Sequence, residues 1–341
     1  MEKKEEEEIE TTKLLNSSHN EPPKSLFDTY KGLLYMFFSC LLKSLFSILI
    51  KYSLNRNESL TSYHLLFYKV NFMLIIFSIF TITIYKKDRK IFDNLTQINR
   101  NQLIFLIFRA LLSILSCSLT AFALKYMSIS NVYAIYYLYP GIVVLFSNFI
   151  LNEKVGNFDY ICLFSCFIGV LCVLRPGIYF FDDTNYGVLS IFVLLSALFK
   201  ACEDIILRYI GKKTHFLYTP LLYCIVGFFI YLIQVILFRE DKKFIIKMGL
   251  YDWTIICIIA FLAVSYQSLM ALAFSNEKAG RASMINYLQI LFTFLADIII
   301  FKRETVLLDY IGILLIFGFN FTNGCIKVYY RKKEIVNTNE K

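Results

Sequence analysis

The chain has 341 residues, of which 57% are hydrophobic and only 18% charged, against roughly 45–50% and about 25% in soluble domains. This composition excludes a disordered chain, a collagen-like fibre and a secreted disulfide scaffold, and it identifies an integral membrane protein. The net charge of +9 sits in short basic runs between apolar stretches, such as Lys86, Lys87, Arg89 and Lys90. Such runs read as membrane-surface anchors, and no soluble basic face for a nucleic acid accompanies them.

In chain order, residues 1–30 are polar and acidic, with Pro22 and Pro23, and are expected to form a disordered cytosolic tail rather than a cleavable signal peptide. Within it, Glu10, Leu14 and Leu15 match an acidic dileucine sorting signal for endosomal or vacuolar membranes. Ten apolar windows long enough to cross a bilayer follow, at 31–52, 63–85, 102–124, 129–151, 158–175, 186–207, 216–238, 252–274, 281–301 and 307–327. The windows are continuously apolar, so they read as helices; barrel strands would alternate. The 9 cysteines form no CxxC pair and are expected to be small buried hydrophobes, with no metal site.

The windows repeat. Lys43-Ser-Leu-Phe-Ser-Ile-Leu-Ile-Lys-Tyr52 aligns with Lys200-Ala-Cys-Glu-Asp-Ile-Ile-Leu-Arg-Tyr209 at a shift of 157 residues. Tyr63 and Tyr68 fall on Tyr218 and Tyr223 at 155; Ala121, Ala123, Asp159 and Tyr160 fall on Ala271, Ala273, Asp309 and Tyr310 at 150. Each half holds five spans, an odd number, so the second half enters the membrane from the opposite side. The expected fold is an all-α integral membrane protein: ten transmembrane helices as two inverted five-helix repeats, 31–176 and 177–327, with a basic cytosolic tail at 328–341. The basic loop 86–101 and the basic C-terminal tail favour the cytosol for both termini, while Arg239, Lys242, Lys243 and Lys247 weigh against it.

The stretch from Ala121 to Pro140, followed by Leu151-Asn-Glu153-Lys154, resembles the EamA-type repeat of the drug/metabolite transporter superfamily. Ala123, Tyr126, Ser128, Pro140 and Glu153 fall on that motif. In the second half Ala273 and Glu304 fit, but Ile290 stands where a proline is expected. The resemblance implies a central cavity opened alternately to each side, usually lined by helices one, three, four, six, eight and nine. Superfamily members carry nucleotide sugars, sugar phosphates, amino acids, purines or drugs.

Ionisable groups at mid-membrane depth cost about 2.5–3.5 kcal/mol each even on lenient scales, so by default they face the bundle interior. Ser39, Lys43, Ser47 and Lys51 are spaced by four and share one helix face, as do Ser196, Lys200, Asp204 and Arg208. In an inverted repeat these faces converge, and Lys43 and Lys200 are expected to hold an anionic group. The alternative is that both lysines snorkel or pair with acids and bind nothing. Arg109 is a further candidate for the substrate, with interfacial anchoring as its alternative, and Lys69 is expected to snorkel. Tyr136, Tyr137, Asn286 and Gln289 are candidates for reading the rest of the substrate, whereas Tyr133 fits an interfacial tyrosine belt. Pro140 is expected to kink its helix as a gate. Glu203, Asp204 and Asp297 are the acids positioned for charge pairing or proton coupling.

These features point to a secondary-active transporter of a small polar, anionic metabolite, working by alternating access as an exchanger or with protons. No Walker A run accompanies them. His19, His64 and His215 lie in no HxxxxD or HExxH setting, which disfavours a membrane acyltransferase; no enzymatic activity, catalytic residue or cofactor is expected. A channel or scaffold is the other alternative, although a scaffold does not need matched ionisable quartets. The expected partners are a small-molecule substrate and membrane lipids, with no nucleic acid. The expected location is the plasma membrane or an endosomal or vacuolar membrane.

Overall fold

The computed structural model describes residues 26–57, 60–87, 99–127, 129–152, 156–174, 184–211, 214–237, 248–302, 304–319 and 322. Glu10, Leu14 and Leu15 lie outside the described residues. The first repeat holds α1 (Leu26–Arg56), α2 (Ser62–Lys87), α3 (Arg100–Tyr126), α4 (Ile129–Tyr136), α5 (Tyr139–Leu151) and α6 (Asn157–Leu174). The second holds α7 (Thr184–Ile210), α8 (Tyr218–Leu237), α9 (Leu250–Asn276), α10 (Ala279–Ile285), α11 (Leu288–Ile299) and α12 (Leu307–Phe319). Every one of the ten windows is helical, and the fourth and ninth are each split in two. The helical form follows from the apolar surroundings, where backbone groups must be satisfied within the segment.

The two splits fall one residue apart under the repeat shift, at Tyr137–Leu138 and Asn286–Tyr287. Pro140 sits in the first turn of α5, where its missing N–H disrupts the ladder of a continuous helix. The chain tightens just before it, with the Leu138 N–H donating to the Ile135 carbonyl at 3.1 Å. The second break needs no proline. There the Asn286, Tyr287, Gln289 and Ile290 N–H groups donate to carbonyls three residues back, those of Ser283, Met284, Asn286 and Tyr287, at 3.0–3.2 Å. This is a 3₁₀ tightening. The sequence predicts a bend at Pro140 alone; the second bend carries no residue that marks it.

The repeats pack on each other in reversed order. α1 lies along α9 and α3 along α7, while α4 meets α11 and α5 meets α10, so the halves of the two broken spans cross N-terminal half to C-terminal half. The inversion is visible bond by bond. Ser39 Oγ donates to the Tyr266 carbonyl at 2.9 Å, and Ser196 Oγ donates to the Ser116 carbonyl at 2.8 Å. These pairs are one contact made twice, because Ser39 maps onto Ser196 and Ser116 onto Tyr266 under the sequence shifts. The same holds for α6 and α12. The Cys162 thiol reaches the Phe319 carbonyl at 3.5 Å, and Gly169 sits against the backbone of Gly312.

Large apolar side chains such as Phe149, Leu250 and Leu314 point outward, as a lipid-facing surface requires. Small residues fill the helix contacts, with Ala110, Ala123, Ala197, Ala201, Ala260 and Ala263 fully buried. At Gly169 an added Cβ would lie 2.6 Å from the Gly312 carbonyl oxygen and 2.6 Å from Ile316 Cγ1. Gly169→Val is therefore expected to destabilise the bundle by about 1–3 kcal/mol, the usual range for overpacking. A lowered thermal unfolding midpoint in detergent is the readout.

Candidate functional site

Between α1, α3, α4, α7 and α9 lies a narrow hollow of about 50 Å³. Its wall includes Lys43 and Phe46 from α1, Ser116, Cys117 and Thr120 from α3, Tyr133 and Tyr136 from α4, Lys200 and Glu203 from α7, and Tyr266, Gln267 and Met270 from α9. The described form has room there for one or two waters, at about 30 Å³ each, whereas sites for small molecules usually run to about 300 Å³ or more.

The charges at and around this wall form a chain. Lys200 Nζ lies 2.7 Å from Asp204 Oδ1 and 3.0 Å from Glu203 Oε2. The other oxygen of Glu203 is bound by the Arg109 guanidinium, which also donates to the Thr219 carbonyl at 3.0 Å. Two cations and two carboxylates thus neutralise one another. Lys43 stands outside that balance. It is 8% exposed, and its ammonium has no hydrogen-bond partner among the described residues. It rests over the rings of Tyr136 and Tyr139, at 5.0 and 5.3 Å from their centres. Tyr139 is the first residue of α5, whose N-terminus adds positive potential.

The two quartets read from the sequence act rung by rung. Ser39 and Ser196 tie the repeats together. Lys43 and Lys200 reach the hollow from opposite halves. On the third rung, Ser47 accepts a hydrogen bond from the Tyr133 hydroxyl at 2.5 Å, and Asp204 pairs with Lys200. On the fourth, Lys51 Nζ donates to the Met127 carbonyl at 2.7 Å and Arg208 Nη1 to the Phe274 carbonyl at 2.8 Å. Each of these caps the C-terminal end of the third span of its own repeat.

Of the predicted substrate-binding residues, Lys43, Lys200 and Tyr136 line the hollow. Arg109 lies behind Glu203 as its charge partner. Tyr137, Asn286 and Gln289 are buried at the two breaks, where Asn286 Oδ1 accepts from the Cys40 thiol at 3.1 Å; they are not on the wall. The Asp297 side chain lies outside the described residues. Two expectations are corrected. Tyr133 is 4% exposed and belongs to the wall, because its hydroxyl finds Ser47 inside the bundle. Lys69 does not snorkel: it is 1% exposed and donates to the Tyr223 hydroxyl at 2.8 Å. Gln267, together with Tyr266, was the residue that sequence reasoning passed over. The signal was the polar run Ser265-Tyr-Gln-Ser268 inside an otherwise apolar span. Among the described residues no cluster of His, Cys, Asp and Glu is arranged for a metal.

The profile of the EamA-like transporter family matches residues 30–175 and 188–321. The chain belongs to that family. It is thus a multi-pass membrane protein of the EamA-like transporter family, a group of generally non-enzymatic carriers. Relatives include an uncharacterized membrane protein of Saccharomyces cerevisiae, YMR253C, 23% identical over 57% of this chain and 50% of that protein. The pseudopaline exporter CntI of Pseudomonas aeruginosa is 25% identical over 50% of this chain and 57% of its own length. Human solute carrier family 35 member G1 is 26% identical over 60% of this chain and 57% of its own length. The matched regions thus span about half to three-fifths of these relatives. A crystal structure superposes with a TM-score of 0.65 over 86% of this chain and 96% of that one at 14% identity, a likeness of fold alone.

Breaking the charge chain leaves a buried ion without its counter-charge. Glu203→Gln is expected to lower stability by about 3–5 kcal/mol, measured as a fall in the unfolding midpoint of the purified protein.

Proposed function

We propose that this EamA-family transporter carries a small polar anionic metabolite by alternating access, with the Lys43 ammonium as the group that meets the anion. The observation that carries this reading is the imbalance at the wall. Lys200 already has two carboxylates within salt-bridge distance, while Lys43 is buried and its ammonium has no hydrogen-bond partner among the described residues. An isolated ammonium among apolar and aromatic groups is costly, and an incoming carboxylate or phosphate relieves that cost. Tyr136 and Tyr133 shape the wall around the anion. Tyr137, Asn286, Gln289 and Arg109 lie a layer further out and act by holding the breaks and the charge chain.

In this reading the repeats 31–176 and 177–327 move against each other about the hollow, and the breaks before Pro140 and Ile290 take up the bending. Lys200 remains held by Glu203 and Asp204 while empty and shares itself with the anion when loaded. The second oxygen of Asp204 has no hydrogen-bond partner among the described residues, which suits it to take up a proton during the cycle; exchange without protons is the other coupling. Both termini face the cytosol, and the acidic dileucine run directs the protein to endosomal or vacuolar membranes.

Reconstitution into proteoliposomes tests the reading. Uptake of the anion is expected to accelerate when the same anion is loaded inside, which a channel does not show. Lys43→Met is expected to weaken substrate affinity at least tenfold, about 1.4 kcal/mol. Unchanged affinity in the Lys43→Met/Lys200→Met double variant would overturn the placement.

A further inference from the structure

The charge count does not end at Lys43. Lys69 of α2 is almost completely enclosed, at 1% exposure. Its ammonium donates to the Tyr223 hydroxyl at 2.8 Å and lies 3.8 Å from the Cys117 sulfur. It faces the rings of Tyr223, Phe46 and Tyr231, at 4.9, 5.5 and 5.6 Å. Tyr223 and Tyr231 share a hydrogen bond of 2.8 Å between their hydroxyls. Among the described residues no carboxylate reaches Lys69. Around the hollow the described residues therefore set four basic side chains, Lys43, Lys69, Arg109 and Lys200, against two acids, Glu203 and Asp204.

The surplus charges are placed on one body of space. Phe46 and Cys117, which both lie against Lys69, are themselves part of the wall of the hollow. Lys43 stands one helical turn before Phe46 on α1, so Phe46 neighbours Lys69 in space and Lys43 along its helix. A lysine has four rotatable side-chain bonds, and Lys69 is held by one hydroxyl, one sulfur and three ring faces, all of them uncharged. An anion in the hollow that draws the Lys69 ammonium past Cys117 replaces these contacts to neutral groups with an ion pair in which both partners are charged.

We infer that the substrate is a dianion, one negative group meeting Lys43 and a second meeting Lys69 beside Phe46. This rests on the anion-carrier reading above and adds to it the charge number and the second binding residue. The chemical class is a dicarboxylate or a phosphate monoester of small size; a single monocarboxylate leaves one buried ammonium unanswered. The aromatic rings around Lys69 hold it in the empty state by cation–π attraction.

The test is ligand-dependent thermal stabilisation of the purified full-length protein with matched probes. Succinate is compared with succinamate, and phenyl phosphate with methyl phenyl phosphate, at equal concentration and ionic strength. In each pair the second probe keeps the shape and loses one charge. At least one dianion is expected to bind tenfold or more tightly than its monoanionic partner. Lys69→Met is expected to erase that preference while retaining the weaker monoanion shift, and Lys69→Arg to preserve it. Equal shifts within both pairs, or a preference that survives Lys69→Met, would overturn the inference and leave the anion-carrier reading standing. No shift with any of the four probes would overturn both. The comparison within the unaltered protein decides the charge number even if Lys69→Met does not fold.

Discussion

Placing a charge inside hydrocarbon without an answering charge is the constraint around which this bundle is arranged. Arg109, Glu203, Lys200 and Asp204 solve it internally by linking α3 and α7 through a chain of ion pairs. The pairing fixes Lys200 in place and joins a span of the first repeat to one of the second. What this chain leaves unsolved gives the site its character. Lys43 and Lys69 are held by rings and a hydroxyl, contacts that restrain an ammonium without neutralising it. Energetically the empty hollow is not a neutral cavity awaiting a shape match. On the anion-carrier reading proposed above, its two unmatched ammonium groups favour anions before any side chain moves.

Much of this was legible in the residues. The shift of 157 pairs Ser39 with Ser196, and carrying the shift of 150 along α3 sets Ser116 on Tyr266; the serine bonds between repeats join these positions at nearly equal length. The four-residue spacing placed Lys43 and Lys200 on converging faces. The spacing of Glu203 and Asp204 after Lys200 already offers that lysine internal partners, whereas the sequence does not show the third cation that shares Glu203. Only the fold brings Arg109 to one oxygen of Glu203 and so commits the acids to α7. Lys69 was misread for a related reason. Its place about two turns into a span suits a side chain that reaches the surface, and the tyrosines that receive it come from α8, more than 150 residues away in sequence.

The hollow is also a consequence of backbone economy. α4 and α5, and α10 and α11, are too short to cross a bilayer alone, yet each pair takes the place of one span. Splitting them puts helix ends in the middle of the bundle, where Tyr139 begins α5 beside Lys43. The polar residues clustered there, Tyr137, Asn286 and Gln289, are not part of the wall of the hollow. They occupy the joints between half-helices, which is why a search for side chains that touch a ligand favoured them from sequence but the hollow does not include them.

Those joints differ in one respect that duplication alone would not produce. In the second copy, isoleucine at position 290 retains its N–H, so the tight turns there are able to relax into an unbroken rod by shifting each bond back one carbonyl. In the first copy Pro140 lacks that hydrogen, and no rearrangement of the neighbouring backbone supplies it. One elbow is thus permanent and the other erasable. In the alternating-access reading proposed above, a carrier built from two inverted copies of one unit thereby acquires a preferred side on which to flex.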